Sequence, residues 1–214
     1  VEMGGGYIIG LEDSKLIILE RDAQGKVRIE DFAMNTLCAA GTGSFLDQQA
    51  SRLGLSIQEF SQIALKSESP PRIAGRCSVF AKSDMIHLQQ EATPEYDIVA
   101  GLCFALARNL KSNIGKGKKI VKPVSFQGGV AANLGVRRAL ASVMELTEGE
   151  LIIPEHFLSM GAIGAVLVAM DDPAQLAPFR GIERLNEYLS CERSELKHLN
   201  QLEAPQDRQP AQAR

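Results

Sequence analysis

Two cysteines stand directly before segments with a helical pattern, which suits them to redox or metal chemistry. Cys38 precedes a Gly-Thr-Gly turn and a helix in LCAAGTGSFLDQQA, and Cys77 precedes the helical segment SVFAKS. The first N–H groups of a helix have no intrahelical partner, and the positive end of the helix dipole favours an anion there. Both positions therefore favour a thiolate or an anionic cluster. Cys103, on an apolar helical face, and Cys191 are instead expected to act as small buried hydrophobic residues.

The cysteine spacing leaves three interpretations open: buried thiols, a catalytic thiol, or metal ligands that meet only in the fold. The chain has no CxxC pair of the kind that marks zinc ribbons or thioredoxin-like sites. A four-iron cluster usually takes four thiolates, whereas one chain offers only Cys38 and Cys77 in this setting. A two-fold dimer would bring four ligands to its axis. The metal hypothesis therefore requires a homodimer with one shared cluster.

Two glycine-rich stretches could bring backbone N–H groups close to a ligand. FQGGVAAN, residues 126–133, places two glycines between a predicted strand and a predicted helix, and the missing Cβ atoms allow close approach. By spacing alone, a plain tight strand-to-helix turn is the favoured interpretation of this stretch. Residues 3–6 could cradle phosphate oxygens or could be a flexible terminus. Gly161 and Gly164, within an apolar helix, are predicted to be close-packing positions.

The surrounding pattern predicts an α/β fold. Residues 16–33 read as a β-hairpin around the turn residues 22–25, and Ser56 with Glu59 forms a capping-box pattern ahead of a helix that the Pro70-Pro71 pair should close. After these come, in order, a helix over 78–90 with Val79, Phe80 and Ile86 near one face, a longer helix over 98–110, a strand over 120–126, a helix over 133–144, a strand over 151–153 and the helix MGAIGAVLVAM. Strand, turn, helix, strand, helix is an α/β order.

Composition excludes several classes of partner. The formal charge is −3, with 23 basic and 26 acidic residues interspersed, so there is no basic stripe for nucleic acid. No stretch reaches the roughly 20 apolar residues that span a bilayer, and the N-terminal residues lack the basic flank of a signal peptide. We therefore predict a cytoplasmic protein with no membrane contact, with one domain over 1–195 and a disordered tail over 196–214.

Most charged residues outside these motifs are expected to be solvated or to have structural roles. Asp47 and Asp84 are expected to be solvated helix residues, although either could lie near a partner surface. His87 is expected to be a surface or packing residue rather than a ligand. The basic segment 116–122 is expected to be a solvated loop, with docking as a minority alternative.

LCAAGTGSFLD, the RCSVFAKSDMI block, FQGGVAAN and EHFLSMGAIGA together resemble the activators of 2-hydroxyacyl-CoA dehydratases, a family that includes the ATPase subunits of benzoyl-CoA reductase. The resemblance covers roughly residues 1–170. It implies an actin-like fold of the sugar-kinase/Hsp70 type in a homodimer bridged by one [4Fe-4S] cluster. ATP binding and hydrolysis, with Mg²⁺, would change the angle between the cluster-bearing helices and drive a low-potential electron onto a dehydratase or reductase. Ferredoxin or flavodoxin would be the electron donor.

The same resemblance implies roles for particular residues. Cys38 and Cys77 match the cluster ligands. Gly128, Gly129 and Asn133 match the adenosine-side motif, and Gly4 and Gly5 match the second phosphate loop. The sequence gives no assignment for a catalytic residue.

Three departures from the family pattern accompany this match. GYIIGL, residues 6–11, separates the glycines from the acidic Asp-Ser-Lys type stretch, so the second phosphate loop is expected to be altered. The family's first phosphate loop is absent, which indicates a C-terminal fragment whose ATPase activity alone is doubtful. Lys82 and Asp84 stand where relatives commonly have two glutamates.

Two other functions of the same fold class stay open: an ATP-binding regulatory module without redox work, and a small-molecule kinase with ordinary buried cysteines. The two helix-start cysteines argue against the kinase. A thiol hydrolase built on Cys77 and His87 is disfavoured because no third orienting group is evident.

Overall fold

The computed structural model describes residues 6–9, 13–35, 42–74, 77–118, 120–171 and 181–190, with only the backbone described for 6–9. Cys38, Gly4, Gly5, Cys191 and the predicted tail lie outside the described residues. The chain divides into two compact units, residues 1–167 and 168–214.

A mixed five-stranded sheet, in the order β3-β2-β1-β4-β5, forms the framework of the first unit. β1 (Gly6–Ile9) pairs antiparallel with β2 (Ser14–Arg21) and parallel with β4 (Val124–Gln127). β2 pairs antiparallel with β3 (Val27–Asn35), and β4 pairs parallel with β5 (Leu151–Ile152). The predicted hairpin is thus confirmed, with Gly25 at φ 79° in its turn.

The helices follow the strands in an α/β order. In the first half of the unit these are α1 (Gly43–Leu53), α2 (Ile57–Ile63) with a 3₁₀ turn over Ala64–Lys66, α3 (Ser78–Gln90) and α4 (Glu95–Asn113). A 3₁₀ turn (Gly129–Ala132) leads into α5 (Leu134–Val143). α6 (Met160–Asp171) spans the boundary between the units, and α7 (Gly181–Ser190) lies in the second.

Local sequence signals place several helix ends. The Ser56 hydroxyl accepts a hydrogen bond from Glu59 N, and the Glu59 carboxylate accepts one from Ser56 N, which confirms the capping box. Gly54, at φ 70°, caps the C-terminus of α1. α2 ends at Ile63, before the Pro70-Pro71 pair that was expected to close it.

One core joins the sheet to the helices. Leu16 and Ile18 of β2 and Val124 and Phe126 of β4 are buried together with residues of α1 to α5. α4 is the most deeply embedded element, and most of its apolar residues are fully buried. The other face of the β2–β3 ladder is open to solvent. Ile17 pairs with Phe32 and Leu19 pairs with Ile29 on that face. Ile29 and Phe32 are 64% and 49% exposed.

Three sequence predictions differ from the structure. β4 begins only at Val124, because Pro123 has no N–H to donate to a ladder. The buried face of α3 carries Ala81 and Met85, so the face with Val79, Phe80 and Ile86 is exposed. Gly161 and Gly164 are not close-packing positions in the described part of the chain, since a Cβ on either would meet nothing within 4 Å.

Candidate functional site

The glycine turn after β4 has the open backbone that the sequence predicted. Gly128 lies at φ 91°, a conformation that favours glycine, and its N–H donates to Phe157 O at 2.9 Å. Gly129 follows with nothing within 4 Å of where a Cβ would stand. The turn therefore presents a bare stretch of backbone at the start of α5.

Asn133 fixes the start of α5 and leaves a buried donor. Its Oδ1 accepts a hydrogen bond from Val136 N at 3.0 Å, so the side chain acts as the N-cap. Asn133 is only 5% exposed, and its Nδ2 has no hydrogen-bond partner. A buried polar group without a partner costs free energy, so a ligand acceptor placed here would be favoured.

A cavity of about 430 Å³ opens between this turn, α2 and the first turns of α1. That volume lies within the usual range for small-molecule and cofactor sites. Its walls are mostly apolar, formed by Leu46, Ile57, Val130, Ala132 and Leu134, with Gly43 and Gly129 where backbone is bare. Its polar lining consists of Asp47, Gln58, Ser61, Gln62 and Asn133.

Ser61 ties two walls of the cavity together. Its Oγ accepts a hydrogen bond from Leu134 N at 2.8 Å and thereby joins α2 to the N-terminus of α5. Ser61 and the two glutamines beside it were not predicted from the sequence. The spacing of residues 58, 61 and 62 places them on one helical face, but it does not indicate which element that face contacts.

The predicted adenosine-side residues thus meet at one cavity. Gly129 and Asn133 line it, and Gly128 immediately precedes them. Asp47 is exposed as expected, but it also lines this cavity. The phosphate-loop glycines Gly4 and Gly5 lie outside the described residues.

Cys77 stands at the N-cap of α3, as the sequence predicted. Its carbonyl accepts a hydrogen bond from Ala81 N at 3.0 Å, while its side chain makes no capping hydrogen bond. The residue is half-buried, and the neighbouring Val79 and Phe80 are 65% and 63% exposed. The thiol therefore lies at a helix start beside an apolar surface.

The segment before Cys77 is held by hydrogen bonds from two helices. Asp84 Oδ2 accepts from Ala74 N at 2.7 Å, and Arg108 Nη2 donates to Ile73 O at 3.1 Å. A Cβ on Gly101 would lie 2.8 Å from Pro71 O, so only glycine allows this approach. Asp84 was expected to be solvated, and that expectation is wrong because its carboxylate is half-buried against the Ala74 amide.

The other described cysteine behaves as predicted. Cys103 is fully buried on α4, and burial raises the pKa of its thiol to about 12. Within the described ranges no group of three or more His, Cys, Asp or Glu side chains could hold a metal ion. That finding does not test the cluster hypothesis, since Cys38 is outside those ranges and half of the expected ligands belong to a second copy.

The remaining charged candidates have structural partners. In the basic segment 116–122, Lys118 pairs with Asp31, and Lys122 pairs with Glu150 at 2.8 Å. Lys122 and the Thr147 backbone lower the pKa of Glu150 to about 2. The exposed His87 lies 3.3 Å from the carboxylate of Glu91, one helical turn away.

The five-stranded sheet and the helices that follow its strands form an α/β fold, with the cavity at the strand-to-helix turn after β4. Residues 5–169 match the model of the BadF/BadG/BcrA/BcrD ATPase family, and the chain belongs to that family. No helix in the described ranges has the length and apolarity needed to cross a bilayer.

Several relatives are dehydratase activators by name. The 2-hydroxyisocaproyl-CoA dehydratase activator of Clostridioides difficile is 37% identical, over 77% of this chain and 59% of its own length. The (R)-2-hydroxyglutaryl-CoA dehydratase activating ATPase of Acidaminococcus fermentans is 34% identical, over 78% of this chain and 61% of its own. The chain thus spans about three fifths of the length of these relatives.

A solved structure shares the fold closely. The activator of the 2-hydroxyisocaproyl-CoA dehydratase from Clostridium difficile with bound ADPNP superposes with a TM-score of 0.70 at 33% identity. The match covers 84% of this chain and 66% of that one.

Proposed function

We propose that this chain is the nucleotide- and cysteine-bearing part of an ATPase that transfers a low-potential electron to a 2-hydroxyacyl-CoA dehydratase or benzoyl-CoA reductase type partner. A [4Fe-4S] cluster would be shared by two copies through Cys38 and Cys77. The observation that carries the proposal is the uncapped, half-buried thiol of Cys77 at the N-terminus of α3, beside exposed apolar residues.

The surroundings of Cys77 suit an anionic cluster shared by two copies. The first turn of α3 offers N–H groups that have no intrahelical acceptor, and these stabilise negative charge on sulfur. Val79 and Phe80 are exposed on the same turn, so a second copy seated there would bury apolar area around the thiols. When bound, the cluster would supply one electron at low potential.

The cavity suits the adenosine part of ATP. Its apolar walls can pack against a base, and the buried Asn133 Nδ2 offers a hydrogen bond that the protein itself leaves unmade. Gly129 lines the cavity, and the open space where its Cβ would stand leaves room for a ligand. Mg²⁺ would accompany the phosphates. A relative's structure with bound ADPNP supports a nucleotide at this fold.

Packed helices connect the two sites. α2 contacts α5, α5 contacts α4, and α4 contacts α3, which begins at Cys77. A nucleotide-dependent shift of α5 would therefore reach α3 through α4. In this proposal ATP does conformational work, and ferredoxin or flavodoxin re-reduces the protein.

Anaerobic purification with iron and sulfide analysis tests the proposal. About four iron and four sulfide per dimer are expected, because a four-iron cluster takes four thiolates and each copy supplies two. Cys77→Ser and Cys38→Ser should each lose the iron. Cys103→Ser is the matched control and should keep it, since that buried thiol lies on another helix.

Other outcomes would assign other functions. A colourless protein that binds ATP would favour the regulatory module, and phosphorylation of a small metabolite would favour the kinase. Iron that stays bound in Cys77→Ser would contradict the proposed ligand set.

A further inference from the structure

Two charged side chains hold one peptide group near Cys77 from opposite sides. Arg108 Nη2 donates a hydrogen bond to Ile73 O at 3.1 Å, and Asp84 Oδ2 accepts one from Ala74 N at 2.7 Å. That oxygen and that nitrogen belong to the same peptide group. A trans peptide is planar and directs its C=O and its N–H away from each other. The guanidinium and the carboxylate therefore lie on opposite sides of it, and we call this arrangement the peptide clamp.

The signs of the two charges match the peptide group between them. The cation lies at the carbonyl oxygen and the anion lies at the N–H, so both hydrogen bonds are charge-assisted. Both side chains are half-buried, and burial together with the charge of Arg72 lowers the pKa of Arg108. In the described ranges neither Asp84 nor Arg108 forms an ion pair. The peptide group is therefore the polar partner that the two charges share.

The clamped segment is also packed closely against α4. The side chain of Ile73 is buried, with 1% exposure. A Cβ on Gly101 would lie 2.8 Å from Pro71 O and 3.0 Å from Ile73 Cδ1, so the glycine allows the segment to approach the helix. The segment thus contacts α4 through its backbone and a buried side chain, and it contacts α3 through Asp84.

The peptide clamp restrains the chain just before Cys77. Only two residues separate Ala74 from Cys77 in the sequence. On its other side Cys77 is fixed by its carbonyl, which accepts a hydrogen bond from Ala81 N at 3.0 Å. Asp84 lies about two helical turns beyond Cys77 on α3, so the helix that begins at Cys77 also supplies one side of the clamp. Functional side chains have to be held to within about 0.5 Å of their working geometry.

We propose that Asp84 and Arg108 are positioning residues for Cys77 and act as a pair through the Ile73–Ala74 peptide. The inference deepens the proposed function, and its part that concerns the cluster rests on that function. Two copies that share one cluster must each hold their thiols at a defined point. The part that concerns the metal-free thiol does not depend on a cluster.

The first test measures the mobility of the Cys77 side chain without metal. A nitroxide is attached to Cys77 in the full chain with Cys38→Ser and Cys191→Ser, and its rotational correlation time is measured by EPR spectroscopy. Cys103 is buried and should stay unlabelled.

Each half of the clamp should affect this mobility. We expect Asp84→Ala and Arg108→Ala each to shorten the correlation time about two-fold, because the segment loses a charge-assisted hydrogen bond. The double variant should resemble either single variant, since both changes act on one peptide group. Arg108→Lys keeps a cationic donor and should restore most of the wild-type value. Lys82→Ala, an exposed change on α3, is the matched control and should leave the value unchanged.

The second test measures iron loss from the anaerobically prepared protein. Asp84→Ala and Arg108→Ala should lose iron to a chelator about ten-fold faster than the wild type, because groups that orient a metal ligand commonly contribute such a factor to metal affinity. Arg108→Lys and Lys82→Ala should stay close to the wild-type rate. Iron loss at the wild-type rate in both alanine variants would overturn the part of the inference that concerns the cluster.

Three results of the nitroxide measurement would overturn the positioning role. These are an unchanged correlation time in both alanine variants, effects that add fully in the double variant, and an equal change in Lys82→Ala. A wild-type protein without iron would overturn the proposed cluster only, because the nitroxide measurement decides the positioning role without metal.

Discussion

Cys77 and Cys103 have opposite environments, although both are free thiols in the described part of the chain. Cys77 is half-buried at the N-terminus of α3, beside the exposed side chains of Val79 and Phe80. Cys103 is enclosed by α4 and its neighbours, and burial raises its pKa to about 12. Reactivity should therefore differ sharply between them.

We predict that iodoacetamide labels Cys77 in the native, metal-free protein and leaves Cys103 unlabelled. Labelling of Cys103 should not increase between pH 7 and pH 10, because its native thiol stays protonated over that range. Peptide mass spectrometry measures both sites, and urea-unfolded protein, in which both cysteines react, is the control. Native labelling of Cys103 as fast as Cys77 would contradict the assignment.

The raised pKa of Cys103 also determines how the free energy of unfolding changes with pH. An unfolded cysteine has a pKa of about 9, whereas burial raises the pKa of Cys103 to about 12 in the native state. Above pH 9 the unfolded state gains stability that the native state does not. The free energy of unfolding should therefore decrease as pH rises from 9 to 12.

Among the elements, α3 has an orientation that depends on contacts distant in sequence. Asp84 on α3 accepts from Ala74 N, and Arg108 on α4 donates to Ile73 O. Ile73 itself is buried, with 1% exposure. These hydrogen bonds hold Ile73 and Ala74, which precede Cys77 in the chain, against α3 and α4.

We predict that Asp84→Ala speeds hydrogen exchange at the Ala74 amide by about ten-fold, the equivalent of about 1.4 kcal/mol, because the amide loses a charge-assisted acceptor. Residue-resolved hydrogen exchange measures the effect. Lys82→Ala, an exposed change on the same helix, should leave that amide unchanged. Unaltered exchange in Asp84→Ala would show that the hydrogen bond does not hold this segment.

Elements with local signals were predictable from the sequence, whereas long-range contacts were not. The hairpin, the capping box of Ser56 and Glu59 and the Gly54 cap depend on neighbours within a few residues. The core-facing side of α3 depends instead on packing against α4, and the apolar pattern of Val79, Phe80 and Ile86 indicated the wrong side.

The candidate site shows the same division. Gly129 and Asn133 were predictable because one turn motif contains both. Ser61 was not, since its partner Leu134 lies 73 residues away. The role of Asp84 was likewise hidden, because its partner is a backbone amide in a segment without regular structure.

At the scale of the molecule, the open face of the β2–β3 ladder is an exposed apolar surface. Ile29, Phe32 and Met34 are 64%, 49% and 44% exposed there. Contiguous apolar patches of this kind are uncommon on isolated soluble domains.

We predict that the chain binds the dye ANS at this face. Phe32→Lys should reduce the ANS fluorescence by about half, because it removes a large, half-exposed apolar side chain from the face. Circular dichroism should be unchanged. Glu30→Lys, at an exposed polar position of the same strand, serves as the comparison and should retain most of the fluorescence. Full dye binding in Phe32→Lys would place the apolar surface elsewhere.

α4 contacts both α3 and α5 and is buried along most of its 19 residues. A helix of that size is about 28 Å long and bends little over such a length. Tilting the helix by about 5° at one end would move the other end by roughly 2 Å. A flexible connection between α3 and α5 would not transmit such a displacement. We therefore expect core mutations along α4, far from either candidate site, to alter how strongly motion at one end of the helix is transmitted to the other.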